Sequence, residues 1–486
     1  MQRMINLVSK SLKINKEQIK SLFNNTSDLV VYEFETLNNI KLMICYIEGF
    51  VEKSLLDRDI IKPIILNLDD NRDIKKVLYV SNVNEFNSLQ EIADKMVYGG
   101  VALFVDKVSQ CYVVNLNHWD KRSIEEPQSE AVIRGPKEGF IEDLATNKVM
   151  LRRRIRNNNL VFEDYIVGKQ TRTSISIAYI QDVVNEEVLA EVKKRINWNI
   201  DIDGILESGY IQQLIEDNPS SLICTIGDTQ KPDVVAGKLL EGRVAVFCDG
   251  TPHVLTMPKL FIEDIQSSED YYSRPFYATF LRLLRINCLL LSIILPGLHV
   301  ALQTFHQEMI PTVLLTTMAG AREGVPFPAM IEAFFMTFML ELMKESGIRL
   351  PRAVGSAVSI VGALVLGQAA VEAGLVSAPM VIVVAATAIA EFAVPALTEA
   401  IIIYRFIFIL LGGFMGLYAI TCGIIVISIQ ILSLNSFGIP YGFPLAPVNK
   451  QGLKDSVVRF PLRSFIYRPK SLEKRNIIRQ KDIRKK

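Results

Sequence analysis

Residues Ser356–Glu372 read SAVSIVGALVLGQAAVE, a helix-length apolar stretch near the middle of a hydrophobic block running from about Ile286 to Leu434. Every fourth residue is Ser356, Ile360, Leu364, Gln368 and Glu372, polar at both ends and aliphatic between, which helical periodicity puts on roughly one face. Spacing by four drifts about 40° per step, so the middle three share that face most closely. A second stripe of Gly355, Ser359, Gly362, Ala369 and Ala373 is small, as suits helices whose backbones approach closely in lipid. One face packs while another can line a path. Copies of the segment ringing an axis would make Leu364 a hydrophobic collar that closes by dewetting, with Gln368 and Glu372 favouring cations at one mouth. The plainer reading is a packing helix rich in small residues.

Composition excludes several classes. The 486 residues are 50% hydrophobic with a formal charge of +1, but these averages mix a charged front, a nearly uncharged block and a basic end. The six cysteines are scattered without a CxxC pair, and no histidine stands at ligand spacing from a second histidine or cysteine; neither a disulfide framework, a metal site nor a cofactor is expected. There is no phosphate-binding G-x-x-x-x-G-K-[ST] loop and no G-x-S-x-G elbow. Glu142 and Asp143 read as a solvated helix face and Asp249-Gly250 as a turn, so the chain is not read as an enzyme. The N-terminal MQRMINLVSKSLKINKEQIK lacks the apolar core of a secretory signal, which assigns the front region to the cytosolic side.

The hydrophobic block divides into spans at Ile286–Thr304 with Pro296 as a kink, Phe327–Met343, Val354–Val371, Pro379–Leu397 and Phe406–Leu432, the last preceded by Arg405. Met309–Gly320 is apolar but short, a candidate half-helix or re-entrant piece. Before the first span, Tyr271 and Tyr272 suit a headgroup layer, and Arg274, Arg282 and Arg285 place that side in the cytosol. Five crossings would leave the Lys/Arg-rich tail outside, against the positive-inside tendency; a sixth, with Met309–Gly320 as its source, would resolve this. Glu332 and Glu391 fall inside spans, where an ionised group costs about 2.5–3.5 kcal/mol. Each serves either an ion path or a structural pair with Arg322 or Arg405.

The soluble half contains a repeat. CYIEGFV (Cys45–Val51), helices and VALFVDKVSQCYVVNL (Val101–Leu116) are followed in the same order by AYIQDVV (Ala178–Val184), helices and VAVFCDGTPHVLTM (Val244–Met257), each copy a hairpin, helices and a second hairpin. The joining stretch, from Arg134-Gly135-Pro136 through a helix beginning at Glu138, carries Arg152, Arg153 and Arg154. This run is a solvated face or a contact to acidic groups of a neighbouring lobe, subunit or anionic lipid. With ample acid and no interleaved aromatics, nucleic acid is not an expected partner. The fold class is thus an α/β cytosolic region of two related lobes (1–130 and 131–277), a polytopic α-helical membrane domain (278–434) and a short basic C-terminal tail (435–486).

RGPKEGF with TNKVMLRRR, KPDVVAGKLLEGRVAVFCDGTPHVLT through SSEDYYSR, and AREGVPFP, ESGIRLPR and VSIVGALVLGQAAVEAGLVS together resemble the A subunits of the GerA-type nutrient germinant receptors of endospore-forming bacteria. The resemblance covers the chain from about residue 133 to the end of the hydrophobic block. It implies a multi-pass protein of the spore inner membrane, acting with a transporter-like B subunit that binds the nutrient and a lipoprotein C subunit. It further implies a homo-oligomeric, pentameric channel lined by the helix matching VSIVGALVLGQAAVE, with Leu364 at the constriction. Two departures stand out: Thr337 where a second glutamate is expected, and Glu391 where a small residue is usual. A substrate transporter built on broken helices around Arg322–Pro328, or a membrane-anchored scaffold, are the competing readings.

Overall fold

The computed structural model describes residues 7–69, 74–80, 82–116, 130, 132, 134–198, 202–349, 365, 367–450, 452–468 and 476–480. Two five-stranded antiparallel sheets follow one another, and they share a strand order. In the first, β1 (Leu29–Glu35), β2 (Lys41–Ile47), β3 (Val83–Phe86), β4 (Gly100–Val105) and β5 (Cys111–Asn115) run β1-β2-β4-β5-β3. In the second, β6 (Leu160–Val167), β7 (Thr173–Ile180), β8 (Gly227–Thr229), β9 (Val244–Cys248) and β10 (Val254–Met257) run β6-β7-β9-β10-β8. The repeated hairpins expected from sequence are β2 with β1 and β4 with β5, then β7 with β6 and β9 with β10. The short edge strands β3 and β8 add a fifth member to each sheet that the hairpin pattern does not announce.

Period-two alternation shows how the second sheet is covered. Leu160, Phe162, Ala178, Ile180, Ala245 and Phe247 face one side, packed by the helices α3 (Leu144–Arg154) and α6 (Pro232–Leu239). Val161, Ile177, Tyr179, Val244 and Val246 face the other, packed by α4 (Glu186–Trp198) and α5 (Ser208–Ile215). The first sheet packs on α1 (Leu12–Leu22) and α2 (Leu89–Met96). The joining helix α3 starts at Leu144 rather than at Glu138, because Asp143 caps it by accepting a 2.7 Å bond from the Thr146 amide.

The segment expected as a short basic tail over 435–486 opens with residues that pack on the second lobe. Phe437, Ile439 and Phe443 complete the α4/α5 side of the second sheet, and Tyr441 is fully buried with its hydroxyl donated to Asp264. These apolar residues precede the basic run, and composition averaged over 435–486 conceals them.

The helical block holds α7 (Pro275–Thr304), α8 (Thr312–Arg322), α9 (Ala329–Arg349), α10 (Ala378–Glu391) and α11 (Thr398–Ser433). Among the described residues, two helices are long and apolar enough to cross a membrane, Pro275–Thr304 and Pro395–Ser433. The second is not straight. Tyr404 donates to Gln430 over 3.0 Å across 26 residues, whereas a straight helix would hold them about 39 Å apart. The reversal lies at Gly416, the one residue within α11 with non-helical angles (φ 62°, ψ −144°). Residues 398–415 and 417–433 are therefore antiparallel arms, and the expected single span Phe406–Leu432 is replaced by this hairpin.

Contacts fix the helix directions. Arg405 bonds Ser292, Gly412 meets Gly297, and Gly416 meets Phe305 and His306, so α7 and the first arm run side by side away from the lobes. Glu332 lies near the Gln303 end of α7 through Arg322, and Glu341 near its Ser292 level through Arg405; α9 runs back. Ser377 meets Glu332 and Glu391 meets Arg405, so α10 runs back as well. The second arm returns to Leu434, whose carbonyl accepts from Tyr441 beside the second lobe.

Candidate functional site

Among the described residues the three largest fully buried side chains are arginines, Arg152, Arg282 and Arg405. A buried guanidinium must be paired, so each marks a junction that the chain is built to hold.

Arg152 joins the lobes. It donates to Asp28 over 2.5 and 2.8 Å, to the Leu160 carbonyl over 3.0 Å and to the Thr26 hydroxyl over 3.3 Å. Burial alone would raise the Asp28 carboxyl; the adjoining guanidinium overrides it and holds the group below its usual range. The solvated-face alternative therefore fails for Arg152, which faces inward on α3. Arg153 and Arg154 lie 3.7 and 2.8 Å from Glu138, and Arg134 donates its backbone amide to Glu269 over 3.0 Å. Between the first lobe and α3 is a cavity of about 390 Å³ with Lys95, Arg153 and Arg156 over an apolar floor of Phe50 and Val97. Arg156 stacks on Tyr98 with 4.9 Å to the ring centre.

Arg282 ties the second lobe to α7 and to the returned C-terminal segment. Its Nε lies 2.9 Å from Asp270, and its Nη1 donates to the Asp455 carboxylate over 3.1 Å and to the Ser456 carbonyl over 2.8 Å. Arg285 shares Asp270 over 3.0 Å. Tyr271 donates to Asp455 over 2.8 Å and Tyr272 to Asp233 over 2.6 Å, so these tyrosines bond protein rather than a headgroup layer. No spacing in the sequence points to Asp455; only chain return brings it here.

Arg405 gathers the bundle. It reaches Glu391 at 2.5 Å and Glu341 at 2.8 Å, and Lys344 lies 2.6 Å from Glu391 and 3.2 Å from Glu341. Its Nε donates to the Ser292 carbonyl over 2.8 Å. That carbonyl is free because Pro296, four residues on, has no N–H to give it. The two signals, a proline inside an apolar span and an arginine beside another, were both visible in sequence; their meeting was not.

Glu332 is held separately. Its Oε1 accepts from the Ser377 amide over 2.6 Å and from the Ser377 hydroxyl, and Arg322 stands 3.7 Å from Oε2. Of the predicted path-lining residues, Ile360 and Leu364 lie outside the described residues. Gln368 and Glu372 are exposed and joined by a 2.9 Å hydrogen bond, while Gly367 beside them is buried against Val381. Among the described residues no group of three or more histidine, cysteine or carboxylate side chains could hold a metal ion.

Comparison with known proteins decides the family. The family model described as Bacillus/Clostridium GerA spore germination protein matches residues 17–471. The chain belongs to the GerA family. This GerA-family chain is 44% identical to spore germination protein KA of Bacillus subtilis over 484 residues, 98% of this chain and 89% of that protein. It is 34% identical to spore germination protein GerLA of Bacillus cereus over 99% of this chain and all of that one. The crystal structure of the N-terminal domain of the A subunit of the Bacillus megaterium spore germinant receptor GerK3 matches with 32% identity and a TM-score of 0.41, covering 52% of this GerA-family chain and 97% of that domain.

Proposed function

We propose that this chain is the A subunit of a nutrient germinant receptor of bacterial endospores, forming a homo-oligomeric, nutrient-gated ion channel in the spore inner membrane. Five copies surround an axis, a transporter-like B subunit takes the nutrient, and a lipoprotein C subunit completes the receptor. The lobes lie on the cytosolic, core side. Six crossings then join them to the C-terminal segment: α7, α9, the helix ending at Glu372, α10 and the two arms of α11. In this reading the Gly416 reversal supplies the sixth crossing.

The observation that carries this reading is the outward turn of Gln368 and Glu372. Glu332 and Glu391 are buried and face cations within the chain, whereas this pair faces out at the end of its helix remote from the lobes. A carboxylate facing lipid is costly; a carboxylate facing an aqueous axis between copies is not. Leu364, one turn before Gln368 and two before Glu372, then closes the axis by excluding water.

Spores in which Leu364→Ala replaces the wild-type chain should lose potassium and germinate without nutrient, at unchanged protein level. An unaltered nutrient requirement would count against the channel and leave a scaffold or transporter.

A further inference from the structure

At the end of the bundle remote from the lobes, four elements bring polar side chains together: Gln303 of α7, Arg322 of α8, Glu332 of α9 and Ser377 ahead of α10. Glu332 is 1% exposed and Gln303 6%. Glu332 spends Oε1 on Ser377, but Oε2 receives no hydrogen bond. Among the described residues Arg322 Nε, 3.7 Å away, has no hydrogen-bond acceptor, its Nη1 bonds Gln303 Oε1 over 3.3 Å and its Nη2 the Phe327 carbonyl over 3.4 Å. Gln303 Nε2 is buried without an acceptor. One turn further in on α7, His299 buries an unpartnered Nε2, and Thr337 on α9 buries an unpartnered hydroxyl.

Each orphaned group costs about 1–3 kcal/mol if left so, and native interiors leave few of them. The Glu332, Arg322 and Gln303 atoms, gathered in one place, require an occupant. It must accept from Arg322 Nε and Gln303 Nε2 and donate to Glu332 Oε2. A cation offers no acceptor and is repelled by Arg322; an anion offers no donor and is repelled by Glu332. Water offers both, and typically makes about three such bonds when buried.

We infer that each copy holds a cluster of ordered water at Glu332, Arg322, Gln303 and His299, a hydrated inlet inside the protomer and separate from the axis between copies. The inlet rests on the membrane-spanning reading above and opens toward the side opposite the lobes. Its floor is the apolar layer of Val300, Ala333, Met380, Val384 and Ile409, beyond which lies the Arg405 network. Water thus enters part of the bundle's thickness and stops.

Hydroxyl-radical footprinting of the full-length protein in lipid nanodiscs tests this, because radiolysis of bound water oxidises the side chains that touch it. With each rate divided by the intrinsic reactivity of its residue type, His299 should oxidise at least about fivefold faster than Met43, a fully buried methionine in the dry core of the first lobe. Gln303→Leu fills the site with methyl groups and should bring His299 down to the Met43 rate. Equal rates for His299 and Met43 in the wild type, or a His299 rate indifferent to Gln303→Leu, overturn the inlet. Phe338, 52% exposed on the bundle's outer surface, separates the two readings. If it is shielded while His299 is silent, the inlet alone fails; if it is heavily oxidised while His299 is silent, the membrane-spanning reading falls with it.

Discussion

Removing one of the buried arginines leaves its carboxylate partners buried and unpaired, so the loss exceeds the value of the pair itself. Arg152→Met should destabilise the lobe-to-lobe contact by about 3–5 kcal/mol, seen as a lower unfolding midpoint and faster proteolysis between the lobes; Asp28→Asn in the same chain should recover part of it. The pH dependence has a defined sign. Asp28 is held below its usual range, and Glu263, which burial alone would raise, is brought down to about 2 by Arg243 and Lys238. Both contribute stability that is fully present above the ordinary carboxylate pKa and is lost as pH falls through their depressed folded values. Unfolding midpoints should hold from neutral pH to about pH 5 and then fall; a flat profile down to pH 3 would contradict the pairing. The sequence offered Arg322 and Arg405 as partners for Glu332 and Glu391 because a carboxylate in an apolar helix requires a cation and few are at hand. It did not offer Lys344 or Asp455. Lys344 falls just outside the expected span Phe327–Met343, and Asp455 lies in a segment whose average charge is basic.

Among the elements, the Gly416 reversal is the most exacting. An alanine Cβ there would lie 2.8 Å from the His306 ring and 2.9 Å from Phe305, at a positive φ that L-residues rarely adopt. Gly416→Ala should therefore cost on the order of 1–3 kcal/mol and loosen the arm pairing, read as a lower unfolding midpoint. Gly320→Ala, in helical geometry with open space around its Cβ position, should be neutral. The hairpin was illegible in sequence for a physical reason. From Phe406 to Ile429 the chain carries no charged residue, so hydropathy runs through the turn unbroken, and one glycine among Gly412, Gly413, Gly416 and Gly423 carries no mark of its own. The lobes were legible because β-branched runs broken by the turns at Asp106-Lys107 and Asp249-Gly250 mark the hairpins and helices repeat near 3.6. The edge strands β3 and β8, at 4 and 3 residues, are too short to show a period. The central stretch Ser356–Leu364 stands where it began, as a reading of sequence.

For the whole molecule, the decisive feature is that the chain returns to its second lobe. Truncation after Leu434 should expose the α4/α5 side of the second sheet and strand Arg282, lowering the yield of folded protein, whereas truncation after Gln480 should be tolerated; limited proteolysis of the two products distinguishes them. The same feature sets an order of biogenesis. Residues 160–257 leave the ribosome early, but the apolar patch that Phe437, Ile439 and Phe443 cover stays open until the helices between have been delivered to the bilayer. At roughly 5–20 residues per second that interval is on the order of ten seconds or more. The nascent second lobe must wait, half-dressed, through the insertion of its own anchor, and a chaperone or the translocation machinery itself has that long to hold it.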